Sequence, residues 1–295
     1  MSNKLQFSKI VAGVMNWGEW GYNLNPPQVR MLMEQCLEVG VTTFDHADIY
    51  GDYTTEYLFG MATGGSSSLR QKMQLISKCG IKLVTPNRPK YRIKSYDTSK
   101  AHILQSAEQS LRNLKTDYLD LLLIHRPSPL MSPEEIASAF QELLDAGKVK
   151  NVGVSNFTPS QFATLNQLIP LACNQIELSL LQLIPFLDGT LEQLMASGSV
   201  PMAYSPMARG AFFTNSPNEA VQRIRFLSGR LEQKYQTTLD KIVLAFLLKH
   251  PSGILPVLGT VRIERIKAAL EAIEIQLTDE EWFMLWEASM GEEVP

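Results

Sequence analysis

Eight short apolar runs recur along this chain, and a helix-like stretch follows most of them. The runs fall at residues 8–15, 41–44, 73–77, 118–124, 149–154, 172–178, 200–204 and 254–258. Helix signals fill the gaps. Pro26-Pro27 opens a segment whose apolar positions Val29, Leu32, Met33, Cys36 and Leu37 recur at three- and four-residue spacing, with Gly40 past its end. Ser132-Pro133-Glu134-Glu135 gives another segment a cap, a first-turn proline and acid in the first turn. Strands alternating with helices imply parallel pairing through right-handed crossovers. Eight such units in 295 residues fit a closed (β/α)8 TIM barrel of the α/β class better than an open doubly wound sheet. No GxGxxG follows the first run, which counts against a Rossmann domain. The whole of 1–295 is expected to form one barrel domain. Helices are expected at 262–273 and 279–289, the last being additional to the eight units.

Composition narrows the classes. A formal net charge of −3 lacks the basic excess of a general nucleic-acid binder, so no nucleic-acid partner is expected. No run approaches the apolar length that spans a bilayer, and the first seven residues lack the apolar core of a signal segment. Cys36, Cys79 and Cys173 are odd in number and far apart, which suits free thiols in a reducing compartment; the expected location is cytoplasmic. There is no CxxC to hold zinc, and no metal is expected. Oligomeric state is not readable.

Three successive strand-like runs end on ionisable residues: Asp45, Lys78 and His125, with Tyr50 on the loop past the first. Such residues are costly to desolvate, and the carboxyl end of barrel strands is where active sites lie. Together they suit reduction of a carbonyl, where the developing alkoxide needs a proton. Tyr50 would be the acid, and Lys78 the cation that lowers its pKa. Asp45 would hold Lys78 by an ion pair. His125 would polarise the carbonyl oxygen through a hydrogen bond. The aromatics Trp17, Trp20, Phe212 and Phe213 are candidates for lining a largely apolar substrate pocket. A metal-dependent hydrolase using Asp45, His46 and His125 is a rival reading; against it, His102 and His250 fall in helix-like segments and the chain has four histidines in all.

The set Asp45-x4-Tyr50-Gly51, Ser77-Lys78 and Ile124-His125-Arg126-Pro127 resembles the catalytic tetrad of the aldo-keto reductase superfamily. The stretch 147–157, GKVKNVGVSNF, is similar to that family's GKVRxIGVSNF segment, and NQIE at 174–177, AYSP at 203–206 and PVLGT at 256–260 match in order. The resemblance covers nearly the whole chain and is strongest to bacterial oxidoreductases of the YdhF type. It implies an NADPH-dependent carbonyl reductase acting on a small-molecule aldehyde or ketone, its cofactor (NADPH or NADP+) bound extended without a Rossmann fold. Asp45, Tyr50, Lys78 and His125 carry over as the tetrad. Ser155, Asn156 and Gln175 carry over as carboxamide contacts and Tyr204 as the ring stacked on nicotinamide. Ser205, Met207, Arg209 and Gly210 would line the pyrophosphate, and Gly259, Thr260, Arg262 and Arg265 the adenosine 2′-phosphate. Many family members place Lys where this chain has Gly259, so a preference for NADPH rests on the two arginines. Asp48 and Cys79 are read as structural. Some relatives, such as β-subunits of voltage-gated potassium channels, use the bound cofactor mainly as a sensor, which leaves a regulatory subunit with little turnover as the alternative function.

Overall fold

The structure, a computed structural model, describes residues 7–294. The amino-terminal residues 1–6, read above for a signal segment, lie outside the described residues. Eight strands close a parallel barrel, as the alternation implies. They are β1 (Val11–Gly13), β2 (Thr43–Asp45), β3 (Gln74–Cys79), β6 (Leu121–Ile124), β7 (Val152–Ser155), β8 (Cys173–Glu177), β9 (Val200–Tyr204) and β10 (Leu255–Leu258), with β10 pairing back onto β1. The two remaining strands, β4 (Ile81–Lys82) and β5 (Ser95–Tyr96), form a small antiparallel pair outside the barrel. Residues 82–96 are mostly polar and include Pro86 and Pro89, so the sequence there reads as one long loop.

Most barrel strands are shorter than the apolar runs that announce them. The fourth and fifth runs begin near Tyr118 and Val149, but there the neighbours meet only in an isolated bridge, Leu119 to Val149. Continuous pairing between them starts three residues later, where Leu122 registers with Val152. The terminal helices Ile263–Glu271 and Asp279–Met290 fall where expected. The helical stretch from Glu219 is broken, Gln236 taking a left-handed conformation between Glu219–Tyr235 and Leu239–Leu248.

Strand side chains alternate between two faces, so one parity enters the barrel and the other meets the helices. Val11, Ile76, Leu121, Leu123, Cys173, Met202, Leu255 and Val257 form a separate cluster that fills the interior. Leu75, Cys79, Leu122 and Ile124, of opposite parity on the same strands, pack outward into the larger core beneath the helices. Continuing the inward parity toward the carboxyl ends reaches Asp45, Lys78 and His125. Register places them side by side: Asp45 pairs with Ile76, and Lys78 with Leu123. Above the apolar plug, the upper end of the barrel is where polar side chains converge.

Candidate active site

Lys78 is the centre of the site. Its Nζ donates to Asp45 Oδ2 at 2.8 Å, to the His46 carbonyl at 2.8 Å and to the Tyr50 hydroxyl at 3.0 Å. All three ammonium hydrogens are thereby used. The site is dry: Lys78 is 1% exposed, Asp45 3%, His125 7% and Tyr50 9%. The His125 ring stands edge-on to Tyr50, centroids 6.0 Å apart. The four predicted residues thus come together. Asp45 Oδ1 accepts from Gln175 Nε2 at 2.9 Å, so the carboxylate is satisfied on both oxygens.

Burial and neighbours set the charge states. Burial pulls Lys78 down, but Asp45 and Tyr50 hold it above its ordinary value. Burial pushes Tyr50 up; Lys78 pulls it down without overtaking that effect. Sequence reasoning had Lys78 lowering Tyr50, and in the folded site desolvation wins. The phenol therefore holds its proton at neutral pH. Burial, then the charges of Lys78, Arg126 and Lys94, keeps His125 well below 6.5, so it is neutral.

The loop that carries Tyr50 is unusual. Gly51, Asp52 and Tyr53 follow it with φ of 56°, 54° and 71°. Left-handed backbone at the two non-glycine residues costs roughly 1 kcal/mol or more each. Side chains hold the turn against that cost. Trp20 Nε1 donates to Asp52 Oδ1 at 3.0 Å, and the Tyr53 hydroxyl accepts from the Leu83 amide at 2.9 Å. Behind Lys78, Ser77 Oγ donates to the buried Glu56 at 2.6 Å. Asp48 donates its amide to the Lys78 carbonyl at 3.0 Å and its carboxyl is pushed up by burial, in keeping with a structural role. Burial holds the Cys79 thiol well above its ordinary value, so it is no reactive thiolate.

The residues assigned to nicotinamide form one wall beside Asp45. Ser155 Oγ donates to the Gln175 carbonyl at 2.9 Å and accepts from Asn156 Nδ2 at 2.7 Å. Tyr204 donates to Asn156 Oδ1 at 2.9 Å. Further along the rim, Ser205, Met207, Arg209 and Gly210 occupy the loop and 3-10 turn after β9, with Ser205, Arg209 and Gly210 at positive φ. The Arg209 guanidinium pairs with Glu177 at 3.3 Å. Gly259 and Thr260 follow β10, and Arg262 and Arg265 stand at the start of helix Ile263–Glu271. Both arginines are exposed, and neither has a carboxylate partner among the described residues. Polar amide groups at the barrel mouth and free guanidinium groups at a helix start are the donor set that a pyridine nucleotide needs.

Two pocket assignments are corrected. Trp17 is 1% exposed and packs against Phe44 and Phe59, because the loop after β1 curls back and tucks it under the first helices. Phe212 is equally buried, in the core under helix Glu219–Tyr235. Trp20 remains at the mouth, its ring 6.1 Å from that of Tyr50, and Phe213 is exposed. The rival metal set does not assemble. His46 is fully buried with its ring edge-on to Phe59 at 4.5 Å, and no cluster of three metal-ligating side chains lies among the described residues. Sequence reasoning missed Arg126, which reaches Ser155 Oγ at 3.3 Å and the Tyr204 hydroxyl at 3.5 Å. Its signal was position alone: a cation directly after His125 at a strand end.

Comparison with known proteins places the chain among relatives. Residues 9–289 match the Aldo/keto reductase family. The chain is 43% identical to oxidoreductase YdhF of Escherichia coli (strain K12), over 98% of this chain and 96% of that one. It is 39% identical to a 6-dehydroglucose reductase of Agrobacterium fabrum (strain C58), over 100% and 98%. Among solved structures, an aldo/keto reductase from Klebsiella pneumoniae in complex with NADP and acetate superposes with a TM-score of 0.74 at 25% identity, covering 95% of this chain and 90% of that one.

His46 generates a stability prediction. Burial, then the Lys78 charge, lowers it from 6.5 to about 3, and both ring nitrogens lack partners. Between those values the unfolded chain binds the proton and the folded one does not. Its stabilising contribution is therefore present above pH ~6.5 and lost as pH falls, about 2 kcal/mol between pH ~7 and ~5. In His46→Leu, urea unfolding should lose about 2 kcal/mol less over that interval than wild type does. Asp48 and Glu56, whose pKa values burial raises, act with the opposite sign but are common to both proteins. An identical pH dependence in the two would contradict the buried, neutral assignment.

Proposed function

This chain belongs to the aldo/keto reductase family, and we propose that it is an NADPH-dependent reductase of aldehydes or ketones in which Tyr50 delivers the proton. The observation that carries this reading is the chain Asp45–Lys78–Tyr50, at 2.8 and 3.0 Å in a site closed to solvent. NADPH supplies the hydride when bound. Tyr50 donates its O–H to the carbonyl oxygen as negative charge develops there, and Lys78, held charged by Asp45, stabilises the phenolate left behind. His125 is neutral with Nδ1 buried and unpartnered, which leaves Nε2 to hydrogen-bond the same oxygen. Exclusion of water strengthens each of these interactions.

Ser155, Asn156 and Gln175 would fix the orientation of the carboxamide, and Tyr204 the plane of the ring. These groups bond one another and Asp45, which fixes their orientation as one wall. Ser205, Met207, Arg209 and Gly210 would follow the pyrophosphate. Gly259, Thr260, Arg262 and Arg265 would receive the 2′-phosphate, the two free guanidinium groups supplying its counter-charge. The Klebsiella structure with NADP and the Agrobacterium relative named for reducing 6-dehydroglucose support the cofactor and the reaction class.

Tyr50→Phe removes only the proton donor. Reduction of an activated aromatic aldehyde should fall by roughly 10²–10⁴-fold, while NADPH binding read by fluorescence stays near wild type. Loss of binding would make Tyr50 structural; retained turnover would remove it as the acid. Arg265→Ala should weaken NADPH by about tenfold or more, the scale of one charge-assisted contact, and barely affect NADH. Equal losses for both nucleotides would take the 2′-phosphate away from Arg265.

A further inference from the structure

Arg126 carries a charge that nothing in the site neutralises. Its guanidinium donates to the His125 carbonyl at 2.9 Å, and at longer range to Ser155 Oγ at 3.3 Å and the Tyr204 hydroxyl at 3.5 Å. All three acceptors are neutral. Among the described residues it forms no ion pair, whereas Arg70 and Arg209 reach Asp120 and Glu177. The nearby carboxylates are committed: Asp45 to Lys78 and Gln175, Glu56 to Ser77, Glu177 to Arg209. Yet Arg126 is half-buried.

A second cation bears on the same histidine. Lys94 lies between β4 and β5, also without an ion-pair partner among the described residues, and its charge bears on His125 together with that of Arg126. Holding a guanidinium half out of water without a counter-ion is costly. Its planar fork is matched by an oxyanion, which two parallel hydrogen bonds can engage.

We propose that Arg126 is a subsite for an oxyanion on the substrate, so that this reductase acts on carbonyl compounds bearing a carboxylate or phosphate group. The carbonyl would meet Tyr50 and His125 while the charged group reaches across to the guanidinium. A neutral carbonyl leaves that charge uncompensated and is the poorer substrate. The proposal rests on the reductase reading of the site, so its test has one arm that depends on turnover and one that does not.

The first arm compares kcat/KM at saturating NADPH within matched pairs: succinic semialdehyde against butanal, and glyceraldehyde 3-phosphate against glyceraldehyde. Wild type should prefer the anionic member of at least one pair by about tenfold or more, the size of a charge-assisted hydrogen bond. Which pair responds identifies carboxylate or phosphate. The preference should collapse in Arg126→Leu, return in part in Arg126→Lys, and shrink as salt is raised. Near parity in both pairs for wild type, as for a substrate recognised by its hydroxyl groups, would overturn the proposal while leaving the reductase reading intact. So would an anion preference that survives Arg126→Leu. The second arm measures succinate against succinamate binding to the NADPH complex by nicotinamide fluorescence. Tighter binding of the dianion, lost in Arg126→Leu and regained in Arg126→Lys, supports the subsite even if no aldehyde is reduced. Equal affinities in wild type overturn it.

Discussion

A fully buried ammonium group has to be paired, and in this protein that requirement falls on Lys78. Its three hydrogen bonds tie β3 to the end of β2 and to the loop that carries Tyr50. A buried ion pair is weak evidence of stabilisation, because desolvating both charges offsets most of their attraction. On the proposed reading, the position of Lys78 is chemistry imposed on a fold able to bear it. The apolar plug of Ile76, Leu121, Leu123 and their neighbours keeps water out from below. Gln175 satisfies the second oxygen of Asp45, and the strained turn at 51–53 is held by Trp20 and Leu83.

The same burial decides the electrostatics around the site. Tyr50 keeps its proton and His125 stays neutral, both through desolvation first and charged neighbours second. A neutral imidazole can donate one hydrogen bond without adding a charge beside Lys78. The charges that do surround it, on Lys78, Arg126 and Lys94, share one sign. Among the described residues only Lys78 has a counter-charge, so the mouth presents positive potential toward an incoming substrate.

Much of this was legible in the sequence, for identifiable reasons. The barrel was readable because strand-like runs alternate with capped helices throughout, and parity then places Asp45, Lys78 and His125 on the inward face. Strand starts were not readable, because apolar residues such as those near Tyr118 and Val149 continue past the point where neighbours pair continuously. The β4–β5 pair was hidden in a polar stretch with two prolines, where only the return of the chain past Ile81 creates a partner for Tyr96. Trp17 and Phe212 were misread because an aromatic in a glycine-containing loop looks alike whether it lines a pocket or plugs a core; tertiary packing alone separates them from the exposed Trp20 and Phe213. Arg126 was passed over because nothing in its local sequence says that it lacks a carboxylate partner. The net direction of the Tyr50 shift depends on how completely water is excluded, which no spacing of residues encodes.

The most direct test of the central claim is the pH profile of NADPH-dependent aldehyde reduction in Lys78→Met against wild type. If Lys78 exists to ease proton donation by Tyr50, removing its charge leaves the phenol holding its proton more tightly. The rate near neutral pH should then fall by roughly 10²–10⁴-fold, and any alkaline limb should move to higher pH. A Lys78→Met protein that binds NADPH and keeps the wild-type rate and profile would contradict the account. It would reduce the Asp45–Lys78–Tyr50 chain to a structural feature.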